Sequence, residues 1–110
     1  MSDSPFPKRL KVARLQADIS QKKLGIAAGI DPFVSSSRMN HYEKGTHHPL
    51  YDTASRIAGV LNVPTSYFYE ADDTLAEIIL VAGAMSTAER KRLLAKMHPK
   101  LHAQRSDDVG

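Results

Sequence analysis

The chain of 110 residues has no cysteine. That excludes a disulfide framework and any zinc site built on thiolates, and it fits a reducing compartment. Long apolar runs are also missing. The longest, Ile78 to Met85, falls far short of the ~20 residues that span a bilayer. Met1 to Pro7 lacks the apolar stretch of a signal peptide. A cytoplasmic protein is expected. Enzyme signatures are absent as well: there is no glycine-rich phosphate loop, no His-Glu-x-x-His and no nucleophile elbow, so no catalytic residues and no cofactor are expected. His41, His47 and His48 lack the fixed spacing of a metal-ligand set, and Pro99 disturbs the helix that His98 and His102 would need to share a face. No metal site is expected.

What is present is a globular composition, 42% hydrophobic and 25% charged, with the charge unevenly spread. Residues 8–48 hold Lys8, Arg9, Lys11, Arg14, Lys22, Lys23, Arg38 and Lys44 against Asp18, Asp31 and Glu43. Residues 49–89 hold only Arg56 against Asp52, Glu70, Asp72, Asp73, Glu77 and Glu89. A basic front half beside an acidic middle points to one face that meets a polyanion, with ordinary surface charge as the plainer alternative.

Nearly every segment reads as a short helix. The first runs from Pro5–Pro7 to Ala17, with Leu10, Ala13 and Ala17 at helical spacing. Ser20 caps a second helix, Gln21 to Ala28, which Gly29 stops. The third has two candidate starts: Asp31 as cap with Pro32 at the first position, or Ser35 as cap. It continues to Glu43 or Lys44 and ends at Gly45. A fourth helix covers Tyr51 to Leu61, with Gly59 as a costly interior residue. Thr65 caps a short fifth ending near Tyr69 or Glu70. A sixth starts at Asp72 or Asp73 and reaches Ala84, and Ser86-Thr87-Ala88-Glu89 has the spacing of a capping box that opens a seventh. Gln104 to Gly110 reads as a frayed tail. Phe33, Met39, Tyr42, Tyr67 and Phe68 are assigned to the core. Leu75, Ile78, Ile79, Ala82 and Met85 need cover, either from the rest of the chain or from a second copy.

The glycine-punctuated pair of helices two and three is a pattern for reading duplex DNA, since the major groove admits a helix. Ser36, Ser37, Arg38, Asn40 and His41 supply hydroxyls, a guanidinium, an amide and an imidazole for base edges, and none is a carboxylate facing the polyanion.

Arg9-Leu10 through Arg14, Ile19-Ser20-Gln21-Lys22-Lys23-Leu24, Met39-Asn40-His41-Tyr42-Glu43-Lys44-Gly45, Pro49 and Leu61-Asn62-Val63-Pro64 together resemble the helix-turn-helix domain of phage repressor and Cro proteins, the xenobiotic-response-element family. The resemblance covers residues 8–69. It implies that Gln21 contacts a phosphate and that Ser36, Ser37, Asn40 and His41 face bases, with Ser35 beside them. It also implies that Lys44 and the loop through His47 clamp the backbone, and that Arg14 and Glu43 form a structural ion pair. Two departures stand out. Ile30-Asp31-Pro32-Phe33 is inserted before the third helix, so that either the helix begins a turn early or a longer turn pins Phe33 and Val34 to the core. Asp18 stands where the family has glycine.

The expected architecture is all-α: a five-helix repressor-like helix-turn-helix domain over residues 1–71 with a short C-terminal helical extension over 72–110. The expected function is sequence-specific binding of double-stranded DNA by a repressor acting as a homodimer on a palindromic operator. The rival is a protein-interaction module, or an antitoxin-type regulator that binds a partner protein.

Overall fold

The computed structural model describes residues 4–100. Six α-helices and one 3-10 turn follow one another, with no strand among the described residues: α1 Phe6–Gln16, α2 Gln21–Ala27, α3 Ser35–Lys44, α4 Tyr51–Leu61, the 3-10 turn Thr65–Tyr69, α5 Asp73–Ala84 and α6 Thr87–Met97. The expected tail from Gln104 and the residue His102 lie outside the described residues.

Helix ends follow local chemistry. The Ser20 hydroxyl accepts from the Lys23 N–H at 3.0 Å and opens α2. Gly29 and Gly45 take the left-handed conformation, with φ of +92° and +77°, and stop α2 and α3. Asp18 takes up the left-handed φ of 53° at the position where the family has glycine. The capping box at α6 forms in full: the Ser86 hydroxyl accepts from the Glu89 N–H at 3.1 Å, and the Glu89 carboxylate accepts from the Ser86 N–H at 2.9 Å. Those bonds to the charged form hold the Glu89 carboxyl below the usual carboxylate range.

The core gathers Phe6, Leu10, Leu24, Met39, Ile57 and Phe68 from α1 through the 3-10 turn. Phe6 meets Phe68 edge to face at 5.0 Å between ring centroids. Inward-facing Met39, Tyr42, Tyr67 and Phe68 agree with the sequence reading.

Several expectations are corrected. Neither Asp31 nor Ser35 caps α3; Val34 precedes it without a side-chain cap. The connecting turn is the longer one, but it does not pin Phe33, which is 99% exposed, or Val34, which is also exposed. Ile30 fills the core instead. Thr65 lies inside the 3-10 turn, and Pro64 precedes it. Arg9, counted among the cations of the basic half, is buried. It donates to the Glu70 carbonyl at 3.0 Å and the Ala71 carbonyl at 3.3 Å, and it pairs with Asp73 at 2.9 Å. It thus fastens α1 to the start of α5. The expected apolar face of α5 is covered only in part among the described residues: Ile79 packs against the core and Ala82 and Met85 are half-buried, while Leu75 is 44% and Ile78 54% exposed.

Two interior glycines separate backbone cost from packing. A Cβ on Gly25 would stand 2.0 Å from the Ser35 hydroxyl, whereas a Cβ on Gly59 would meet nothing within 4 Å. Gly59→Ala is therefore expected to stabilise the fold by about 1 kcal/mol, the helix-propensity difference. Gly25→Ala is expected to destabilise it by about 1–3 kcal/mol through overpacking, and Ser35→Gly is expected to recover part of that loss. Urea unfolding of the three variants checks both signs.

Candidate nucleic-acid interface

At 3.6 residues per turn, Ser36, Asn40, Lys44, Ser37 and His41 fall within an arc of about 140° on α3. The opposite arc carries Ser35, Met39 and Tyr42, all buried. The outward arc, with Ser36, Ser37 and Lys44 exposed and Asn40 and His41 half-buried, thus holds two hydroxyls, an amide, an imidazole and an ammonium, each able to bond to a base edge or a phosphate. Arg38 flanks it and is exposed.

Four side chains hold this arc in place. Arg14 on α1 forms a bidentate pair with Glu43 on α3: its Nε bonds one carboxylate oxygen, and its Nη2 reaches the other at 3.1 Å. The two side chains are 12% and 4% exposed, so the pair is sheltered from water. The Nη1 of Arg14 donates to the Ile19 carbonyl at 3.0 Å, which secures the loop that leads into α2. The Gln21 amide nitrogen, at the first residue of α2, donates to Glu43 at 3.2 Å and to the Asn40 Oδ1 at 3.3 Å. Gln21 and Asn40, read separately from the sequence, therefore form one unit with the ion pair.

Just past this C-terminal end of α3, the Thr46 hydroxyl donates to the His41 carbonyl at 3.3 Å and lies 2.8 Å from His41 Nδ1. The His47 ring stacks on His41 at 4.3 Å between centroids. The loop after α3 is thereby folded onto the reading arc, and the sequence carried no signal for that stack.

Ser35 does not belong to the arc. It is fully buried, and its hydroxyl donates to the Lys22 carbonyl at 2.7 Å in the α2–α3 contact that Gly25 opens. Its assignment as a DNA-contacting residue is corrected for that reason: a side chain closed off by a helix–helix contact reaches no ligand. The cations also divide. Lys11, Lys22, Lys23, Arg38 and Lys44 are exposed, whereas Arg9 and Arg14 serve the fold, and Arg56 donates to the Ala28 carbonyl at 2.8 Å. Among the described residues, no group of three metal-ligating side chains converges, and no helix is long and apolar enough to cross a membrane.

Known proteins are similar to this chain in sequence and fold. The family model described as Helix-turn-helix, HTH_3, matches residues 10–68, more than half of the chain. Over 62 residues the chain is 36% identical to an uncharacterized HTH-type transcriptional regulator of Sinorhizobium medicae (strain WSM419), and equally to one of Rhizobium meliloti (strain 1021). Each match spans 56% of this chain and 42% of the relative's length. The crystal structure of the transcriptional regulator BswR superposes with a TM-score of 0.78 at 41% identity, covering 90% of this chain and 98% of that one. With α2 and α3 forming the glycine-separated pair and an arc of hydrogen-bonding side chains on α3, the chain belongs to the Cro/C1-type HTH_3 family of helix-turn-helix transcriptional regulators, a family of DNA-binding proteins rather than enzymes.

Proposed function

We propose that the protein is a repressor that binds a palindromic operator as a homodimer, with residues 1–71 as the DNA-binding domain and 72–110 as the dimerising extension. The observation that carries the reading is the exposed arc on α3, fixed by the Arg14–Glu43 pair and bordered by cations. In this reading Ser36, Ser37, Asn40 and His41 meet bases in the major groove. Gln21, Arg38, Lys44 and His47 meet phosphates, and Lys11, Lys22 and Lys23 add salt-sensitive affinity.

The Thr46 hydroxyl has one hydrogen, which it directs to the His41 carbonyl. In the neutral tautomer that carries its proton on Nδ1, that oxygen accepts from His41 Nδ1–H and Nε2 is left as an acceptor. An acceptor there suits the exocyclic amine of adenine or cytosine.

The homodimer rests on α5 and α6. Ile78, Leu80, Val81, Ala82, Met85 and Leu93 line an open groove of about 430 Å³. Helix α6 buries none of its residues. Helices this short are marginal in water without packing, which a second copy would supply. Two recognition helices related by a two-fold axis read two half-sites one helical turn apart, and a dimer seated on such an operator occludes it.

Incubating the full chain with random duplexes at near-physiological salt is expected to enrich an inverted repeat, and enrichment of no sequence would refute the reading. On the selected operator, His41→Ala is expected to lose about 1–3 kcal/mol of discrimination at one base pair while retaining non-specific binding. Competition titrations against single-base variants measure it. Glu43→Gln leaves Arg14 without its anionic partner. It is expected to cost about 3–5 kcal/mol of stability in urea unfolding and to weaken operator binding further through Gln21 and Asn40. Ile78→Glu is expected to halve the mass seen by light scattering while circular dichroism is unchanged. A wild-type chain that is already monomeric when bound to the operator would sink the dimer.

A further inference from the structure

The turn that joins α2 to α3 is ordered at both ends yet exposes its whole middle. Ile30 is buried at one end, with its N–H on the Gly25 carbonyl at 2.9 Å, and Ser35 is buried at the other. Between them, Asp31, Pro32, Phe33 and Val34 are all exposed. The Asp31 carboxylate accepts from the Phe33 N–H at 2.8 Å, and its carbonyl accepts from the Val34 N–H at 3.1 Å. Pro32 pre-sets the backbone of such a turn. Phe33 is thus held outward on a stiff support, 99% exposed and packed against no other ring among the described residues. The four residues inserted relative to the family pattern end with it.

Phe33 stands three residues before Ser36, the first member of the exposed arc on α3. Three residues span at most about 10 Å of extended chain, which is about three base-pair steps along a duplex. The major groove offers one apolar group to a ring placed there, the C5-methyl of thymine. We propose that Phe33 is a specificity-determining residue that reads a thymine methyl next to the bases read by Ser36 and Ser37. The proposal rests on the DNA-reading function above and adds to it a contact that carries no hydrogen bond. The support is already ordered, so the ring loses little freedom on binding, and the exposed ring is removed from water only in the complex.

The test uses the full chain and the operator enriched from random duplexes. Each thymine of a half-site is replaced in turn by deoxyuridine, which removes the methyl and leaves every hydrogen-bonding group. Wild-type protein is expected to bind about fivefold or more weakly at one or two adjacent positions. Phe33→Ala is expected to lose a similar factor on the thymine duplex and to become indifferent to the methyl at those positions, with Phe33→Leu intermediate. The ring buries nothing in the free protein, so the thermal midpoint should not move. Equal weakening of thymine and uracil duplexes by Phe33→Ala would mean a backbone or wedging contact and would overturn the proposal, as would wild-type affinity in that variant. A chain that enriches no operator fails earlier, at the DNA-reading function, and takes this contact down with it.

Discussion

The geometry of the interface depends on one sheltered ion pair. Arg14 and Glu43 lie 29 residues apart in sequence and join α1 to the last turn of α3. A bidentate guanidinium–carboxylate pair fixes orientation as well as distance, which a lysine in place of Arg14 would not do. The carboxylate has more than one partner: it also accepts from Gln21, which in turn donates to Asn40. The first residue of α2 and the middle of α3 are therefore referred to the same charge. A pair removed from water repays its desolvation only when its remaining hydrogen-bonding capacity is used. Here the Ile19 carbonyl and the Gln21 amide use it. The same bonds that satisfy the pair thus place the side chains assigned to the ligand.

A second constraint acts at the α2–α3 contact, where steric exclusion replaces charge. Gly25 has no Cβ, and the space is taken by the Ser35 hydroxyl, bonded to the Lys22 carbonyl. The hydrogen bond satisfies a polar group that would otherwise be costly to bury. The close approach turns Ser36 and Ser37 outward by the helical period. One glycine and one serine therefore close the α2–α3 contact, and the Arg14–Glu43 pair ties α3 to α1.

Much of this was legible in the sequence. The stops at Gly29 and Gly45 and the caps at Ser20 and Ser86 rest on local chemistry that the residues themselves state, and the structure places each as read. The ion pair was legible through family resemblance rather than spacing, because nothing local joins residues so far apart. Three of the readings that failed did so where tertiary contact decides. Ser35 read as a cap or a ligand group because a serine before a helix usually is one. Its burial depends on a glycine ten residues earlier and on the angle between two helices. Arg9 is counted among the cations of the basic half because charge counts ignore direction; its guanidinium faces carbonyls just before α5. Phe33 read as core because apolar residues usually are, although the rule runs only one way.

The corrected charge distribution changes where affinity and selectivity must come from. With Arg9 and Arg14 bound to internal acceptors, the basic half presents mainly lysines, which neutralise phosphates without preferring a sequence. In the proposed reading, selectivity then falls on short side chains along α3, whose reach is small. Short side chains can read bases only if the helix is held at the right depth, and the bonds that converge on Glu43, with the one Ser35 makes to Lys22, would hold it there. Long flexible cations tolerate a misplaced scaffold, but serines and an asparagine do not. In this fold the residues that meet solvent are chemically ordinary, and their meaning comes from the rigidity beneath them.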